Sequence, residues 1–240
     1  MSRFRVRKID PPPASHPSEL KNLPEMRDVE KVLVRAFSED IFAAVVTGHD
    51  PQIPSNMNER LGSFFMSNVI AGLMGGEVYV AEALDTQEII GCAVWFGPGR
   101  AMFDSEDQQE HALKPFMSAL GSELETWWID YFLPAYDAFV DSVLGKGTKL
   151  GAWHLQLLGV DPAYHRQGAA RLLLETVIKR AHAAEPPIPL VVETPAEVDI
   201  EIYTKLGFHL MPTGKDIQSC KSTYIGATGD VPALWVLIMD

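Results

Sequence analysis

A chain of 240 residues, 47% hydrophobic and 22% charged, has enough material for one folded domain spanning 1–240, and disorder is not expected over most of it. Its formal net charge of −12 opposes binding to nucleic acid and to anionic lipid, so an anionic ligand has to be held by local backbone dipoles. The two cysteines, Cys92 and Cys220, lie far apart without metal-type spacing, which fits free thiols in a reducing, cytoplasmic compartment.

Arg3, Arg5, Arg7 and Lys8 make the N-terminus basic, but no apolar leader core follows and Pro11–Pro13 interrupt the chain. A secretory signal is therefore not expected. No apolar run reaches the roughly 18 residues of a membrane span. Phe4 and Val6 alternate with the arginines, which predicts a short strand. After a proline-rich connector, Val29, Val32, Leu33, Ala36 and Phe37 recur at helical spacing. The stretch from Ile41 to Asn58 has no clear pattern, with Pro51 and Pro54 marking a break. A second helix is expected from about Glu59 to Met74, stopped by Gly75-Gly76. Glu77–Ala83 and Glu88–Phe96 read as a β-hairpin turned at Leu84–Gln87. Gly97-Pro98-Gly99 opens no helix, so it is not a dinucleotide fingerprint.

Phe103–Gly147 reads as a long helical insert carrying Trp127, Trp128, Tyr131, Phe132, Tyr136 and Phe139. Then come a strand over Ala152–Val160, a helix over Gly168–Ala184 and a strand over Leu190–Val192. A short helix at Val198–Lys205 and two strands, Gly207–Met211 and Ala233–Met239, complete the chain. This order predicts an α/β fold: a mixed central sheet flanked by helices, with the insert between strands three and four.

The chemistry is concentrated in Trp153–Ala184. The strand WHLQLLGV runs into a turn, HRQGAA, and then a helix with an apolar stripe at Ala170, Leu173, Leu174, Val177, Ile178 and Ala181. Gly168, Ala169 and Ala170 line the helix start, so an oxygen-rich ligand can approach the backbone closely. Unpaired amides and the positive end of the helix dipole there favour phosphate.

The run V-D-P-x-Y-H-R-Q-G-A-A resembles the Q/R-x-x-G-x-G/A signature of the GNAT superfamily of acetyl-CoA-dependent N-acetyltransferases. That resemblance implies that His165, Arg166, Gln167, Gly168, Ala169 and Ala170 bind the pyrophosphate of coenzyme A, mainly through backbone. His165 stands where the family usually has Gln or Arg. The later run L-V-V-E-T-P-A-E-V-D-I-E-I-Y-T-K-L-G-F is similar to the family's late strand, short helix and Y-x-K-x-G-F ending, with Asp199 where relatives often carry Asn. The two motifs together span Trp153–Phe208. Leu157, Leu158 and Val160 resemble the strand residues whose backbone pairs with the pantetheine arm and the thioester carbonyl. The insert, with A-W-x-L-x-x-x-G-V after it, weakly resembles the branch that includes puromycin N-acetyltransferase.

The resemblance implies acetyl transfer from acetyl-CoA to a primary amine, with a small-molecule acceptor and no metal. Tyr203 matches the family's frequent general acid; a Tyr pKa near ~10 lies close to a thiol's ~8.5, so a neutral phenol can protonate a departing thiolate. Its alternative is packing of the short helix onto the sheet. Glu193 and His154 are the candidate bases, because both lie on or beside the strands that line the family's acceptor site. Glu193 otherwise orders its own loop, and His154 is otherwise a half-exposed strand residue. The insert either covers the acceptor pocket with its aromatics and with Glu123, Glu125, Asp130 and Asp137, or simply extends the core. The scattered histidines form no metal pattern, and no G-x-S-x-G nucleophile occurs, so direct ternary-complex transfer by a monomer or homodimer is expected. The alternatives are a coenzyme A-binding module without turnover, an acetyltransferase acting on protein or peptide amines, and an interaction protein whose insert is a partner surface.

Overall fold

The computed structural model describes residues 3–13, 15–48, 54–226 and 229–240, with the side chains of 54–58 outside that description. Pro51, read above as part of a break, lies outside the described residues. Among the described residues, eight strands form one mixed sheet: β1 (Phe4–Lys8), β2 (Glu77–Ala83), β3 (Ile89–Phe96), β4 (Trp153–Val160), β5 (Leu190–Thr194), β6 (His209–Met211), β7 (Lys221–Thr223) and β8 (Ala233–Met239). Their spatial order is β1-β2-β3-β4-β5-β8-β6, with β7 also on β8. β4 and β5 run parallel and the other pairs antiparallel.

Strand alternation sorts the side chains between two helical layers. Val78, Val80, Cys92, Val94 and Leu157 face α1 (Met26–Ala36) and α3 (Pro54–Gly75). Tyr79, Ala81, Ala93, Trp95 and Leu155 face α9 (Ala169–His182) and α10 (Glu197–Lys205). Leu33, Leu61, Leu173 and Leu174 are fully buried, and each contributes about 1.5–3 kcal/mol of apolar transfer. The helix α1 lies so close to β4 that a Cβ on Gly159 would stand 2.7 Å from Leu33 and 2.9 Å from Phe37. Any side chain there would have to displace them.

Ile41–Thr47, which had no readable pattern, is a helix, α2, capped by Asp40 accepting from the Ala43 amide at 2.6 Å. The predicted long insert helix is instead a broken series. It comprises α4 (Glu106–Gln108), α5 (Lys114–Leu120), α6 (Ser122–Trp127), α7 (Leu133–Leu144) and α8 (Thr148–Gly151), with π turns at Gln109–Leu113 and Trp128–Phe132. Each π turn precedes a helix with proline in its first turn, Pro115 or Pro134, whose missing N–H cannot close an ordinary turn. Between α5 and α6, Gly121 takes φ +82°, which breaks the helix again.

The insert packs as core through Phe116, Leu120, Leu124, Trp128 and Phe132, against Val46, Tyr224 and Leu234. Its buried indole at Trp128 donates to the Val46 carbonyl at 2.6 Å. Of the insert carboxylates, Glu123, Asp130 and Asp137 are exposed and Glu125 is half-buried. No described helix is long and apolar enough to cross a membrane.

Candidate active site

The site begins with a divergence of two strands. β4 pairs with β5 only at Trp153↔Leu190, His154↔Val191 and Leu155↔Val192. On its other edge the register with β3 slips, from Trp95↔Leu155 to Val94↔Leu157, leaving Gln156 without an opposite residue. Such a bulge bends and twists its strand. Beyond it β4 stays with β3 as far as Val160, and β5 stays with β8 as far as Thr194. A cleft therefore opens between them, edged by unpaired backbone of β4. Leu158 and Val160 lie along that edge, while their side chains pack into the α9 core. What they can offer a ligand is backbone.

At the end of β4 the chain makes a shaped turn. Asp161 accepts from the Ala163 amide at 3.0 Å and pairs with Arg35 at 2.6 Å. The His165 ring turns back, its Nε2 2.8 Å from the Val160 carbonyl oxygen; a carbonyl only accepts, so Nε2 carries the proton. Gln167 is also held aside, donating to the Ala163 carbonyl at 3.0 Å and accepting from Arg3 at 2.8 Å. Arg166 and Gly168 adopt left-handed backbone, φ +58° and +95°.

Helix α9 has no side-chain cap. Among the described residues no acceptor serves the amides of 166–171. A Cβ on Gly168 would meet nothing within 4 Å. Ala169 is buried and Ala170 half-buried, so the helix start is held against the sheet. The turn is thus an open ring of donors at a positive helix end, and it fits a diphosphate.

A buried polar cluster occupies the sheet face under the insert. His154 Nε2 lies 2.6 Å from Glu193 Oε2, and both side chains are less than a tenth exposed. The alternative reading of His154 as a half-exposed strand residue does not hold: α7 covers that face through Phe139, Val140 and Val143, packed on Val191, Val236 and Ile238. Lys149 Nζ, from α8, lies 3.3 Å from Glu193 Oε1 and 4.5 Å from the centre of the Tyr136 ring, and it also donates to the Tyr136 hydroxyl. Glu193 Oε1 has ion-pair proximity but no aligned hydrogen bond.

Burial opposes the Glu193 charge, but His154 and Lys149 outweigh it and hold the carboxyl far below its usual range. Burial pushes the His154 imidazole down, against the pull of Glu193. We take the pair as an ionised carboxylate and a neutral imidazole. A carboxylate only accepts, so Nε2 carries the imidazole proton, and the described residues give Nδ1 no partner.

Tyr203 is buried on α10, packed edge-to-face on Phe208 at 5.7 Å. Burial and the charges of Asp199 and Glu193 push its phenol up. Asp199 accepts from the Thr194 hydroxyl at 3.2 Å, which ties the start of α10 to the end of β5; burial pushes its carboxyl up. The structure thus brings Glu193, His154 and Tyr203 into one electrostatic neighbourhood, with the amide turn at the far end of β4. Sequence reading missed Lys149 and Tyr224. Lys149 reaches Glu193 only because the insert folds back, which no local pattern signals. Tyr224 is buried with an unpartnered hydroxyl near the Glu193 charge.

The family model described as an acetyltransferase (GNAT) domain matches residues 106–219, a span that contains β4, the turn, β5 and α10. Over those residues the chain is similar to a GNAT acetyltransferase domain. The GNAT fold also returns among solved structures. The chain is similar to a polyamine N-acetyltransferase of Drosophila melanogaster that catalyses formation of N-acetylagmatine (TM-score 0.53, 16% identity, 98% of this chain and 99% of that one). It is similar to arylalkylamine N-acetyltransferase 2 of Aedes aegypti (TM-score 0.56, 15% identity, 99% and 98%). It is also similar to a histone acetyltransferase HPA2-related acetyltransferase of Corynebacterium glutamicum (TM-score 0.53, 16% identity, 99% and 96%). At such identities the likeness speaks for the fold. No curated sequence matches the chain significantly. None of these matches singles out the puromycin branch.

Proposed function

We infer that this protein transfers an acetyl group from acetyl-CoA to the primary amine of a small molecule, in a direct ternary complex. The observation that carries this is the cleft between β4 and β5, with open amides at 166–171 at one end and the His154–Glu193 pair under the insert. The turn from His165 to Ala170 would hold the diphosphate through backbone, with Asp199 flanking the cleft. The free edge of β4 at Leu158 and Val160 would align the pantetheine arm and the thioester carbonyl.

The amine reaches the site as an ammonium ion. The neutral His154 imidazole takes its proton at Nδ1, directly or through water, and the Glu193 carboxylate stabilises the resulting imidazolium. The amine nitrogen then bonds to the thioester carbon as the carbon–sulfur bond breaks, Tyr203 protonates the leaving thiolate, and the second proton that the nitrogen sheds on becoming an amide restores the Tyr203 phenol through water. Its raised pKa keeps the phenol protonated for that step. Burial of the base under the insert favours a small acceptor over a folded protein's amine. Fold relatives acting on agmatine, polyamines and arylalkylamines define the first panel to try.

The test is thiol release from acetyl-CoA with that panel, comparing wild type with Tyr203→Phe. The expected result is release that requires an amine and falls in kcat in the variant, with acetyl-CoA affinity retained. Undiminished release in Tyr203→Phe removes Tyr203 from the mechanism. Binding of acetyl-CoA without release for any amine would make the protein a coenzyme A holder without turnover.

A further inference from the structure

Lys149 is supplied by the insert, outside the strands and turn that form the cleft. Three-quarters buried, it donates to the Tyr136 hydroxyl, with Nζ 3.3 Å from Glu193 Oε1, while Glu193 Oε2 takes the His154 contact at 2.6 Å. The two oxygens of one carboxylate are thus divided between a fixed cation and the imidazole. We propose that Lys149, held by Tyr136, is a positioning residue: it anchors the Glu193 carboxylate and so sets the tautomer and basicity of His154. The proposal rests on the reading of His154 as the amine's base.

A buried carboxylate with a single neutral partner tends to take up a proton. A protonated Glu193 would no longer orient the imidazole as an acceptor. An ammonium ion on Oε1 prevents this without occupying Oε2. Tyr136 holds that ammonium through its hydroxyl oxygen, which accepts from Nζ. The other groups facing the pair are Asp137 on α7, Tyr203 on α10 and Tyr224 after β7. None of them is a cation, so among these neighbours Lys149 alone opposes protonation of Glu193 while also lowering the basicity of His154. The insert therefore does more than cover the sheet: it tunes the pair beneath it.

The test compares the full-length wild type, Lys149→Met and Lys149→Arg by ¹⁵N NMR of histidine-labelled protein, alongside the pH profile of kcat/KM for acetyl transfer. In wild type, His154 is expected as the neutral Nε2–H tautomer with a midpoint below that of a free histidine. Loss of the cation in Lys149→Met should move the His154 midpoint and the acid limb of the profile to higher pH, and lower kcat at pH 7 by roughly 10- to 100-fold. Lys149→Arg should keep the wild-type midpoint.

An Nδ1–H tautomer in wild type would overturn the proposal. So would an unmoved midpoint in Lys149→Met, or equal defects in the Met and Arg variants. Should Lys149→Met fail to fold, the wild-type tautomer and the Arg variant still decide. The NMR arm needs no turnover, so an enzyme that acetylates nothing defeats the functional reading while leaving this proposal to be judged separately.

Discussion

His154 and Glu193 are 39 residues apart on neighbouring parallel strands, and their side chains meet at 2.6 Å on the sheet face beneath α7. His154 sits opposite Val191, and Glu193 lies two residues further along the same face. Their meeting is thus fixed by strand register, which a loop rearrangement cannot undo.

That pairing predicts a paired kinetic defect. His154→Ala should lower kcat by about 10²–10⁴-fold, the usual worth of a general base. The wild-type imidazole titrates below its ordinary value, so activity should persist below pH 6.5 and fall only as pH drops through the lowered pKa. Glu193→Gln removes the charge that raises His154, so its acid limb should lie at still lower pH, on a reduced kcat. A limb moving upward in Glu193→Gln would contradict the assignment.

Gly168 tests the amide turn. At φ +95°, a side chain is strained by about 1–3 kcal/mol whatever the space around it, and that space is open. Gly168→Val should therefore weaken acetyl-CoA binding at least tenfold by calorimetry, with the fold intact by circular dichroism. Unchanged affinity would place the nucleotide elsewhere.

The elements that place this turn were largely readable beforehand. The Ala170, Leu173, Leu174, Val177 and Ala181 stripe gives α9, and the hairpin at Glu77–Phe96 is found within a residue. The tertiary features were not. Burial of His154 depends on α7 folding over it, and alternation along one strand cannot report what covers its faces. The bulge at Gln156 depends on pairing with β3. The π turns ahead of Pro115 and Pro134 interrupt what looks like a continuous helical period.

Gly159 offers a stability test remote from the chemistry. A methyl group there would press on Leu33 and Phe37 of the α1 region, and overpacking of this kind costs about 1–3 kcal/mol. Urea unfolding of Gly159→Ala should show a lower midpoint at an unchanged slope. An unaltered midpoint would mean that α1 yields without cost.

Glu82 predicts the acid limb of stability. Its buried carboxylate meets Arg5 at 2.5 Å and Arg7 at 2.7 Å, and these partners hold its pKa below the usual value against the cost of burial. A depressed folded pKa gives stability that is present above the unfolded pKa of about 4.3 and is lost as pH falls through the folded one. Glu82→Gln should be less stable than wild type at pH 7, with the gap narrowing below pH 4. A constant gap across that range would contradict this linkage.

The most direct measurement is stoichiometric. The protein is mixed with acetyl-CoA and one primary amine at a time, free thiol is counted, and both the amine and the quenched protein are weighed by mass spectrometry. The account predicts one N-acetylated amine per thiol and no acetyl group on the protein. Thiol without acetylated amine, or an acetyl group carried on the chain as an intermediate, would contradict it.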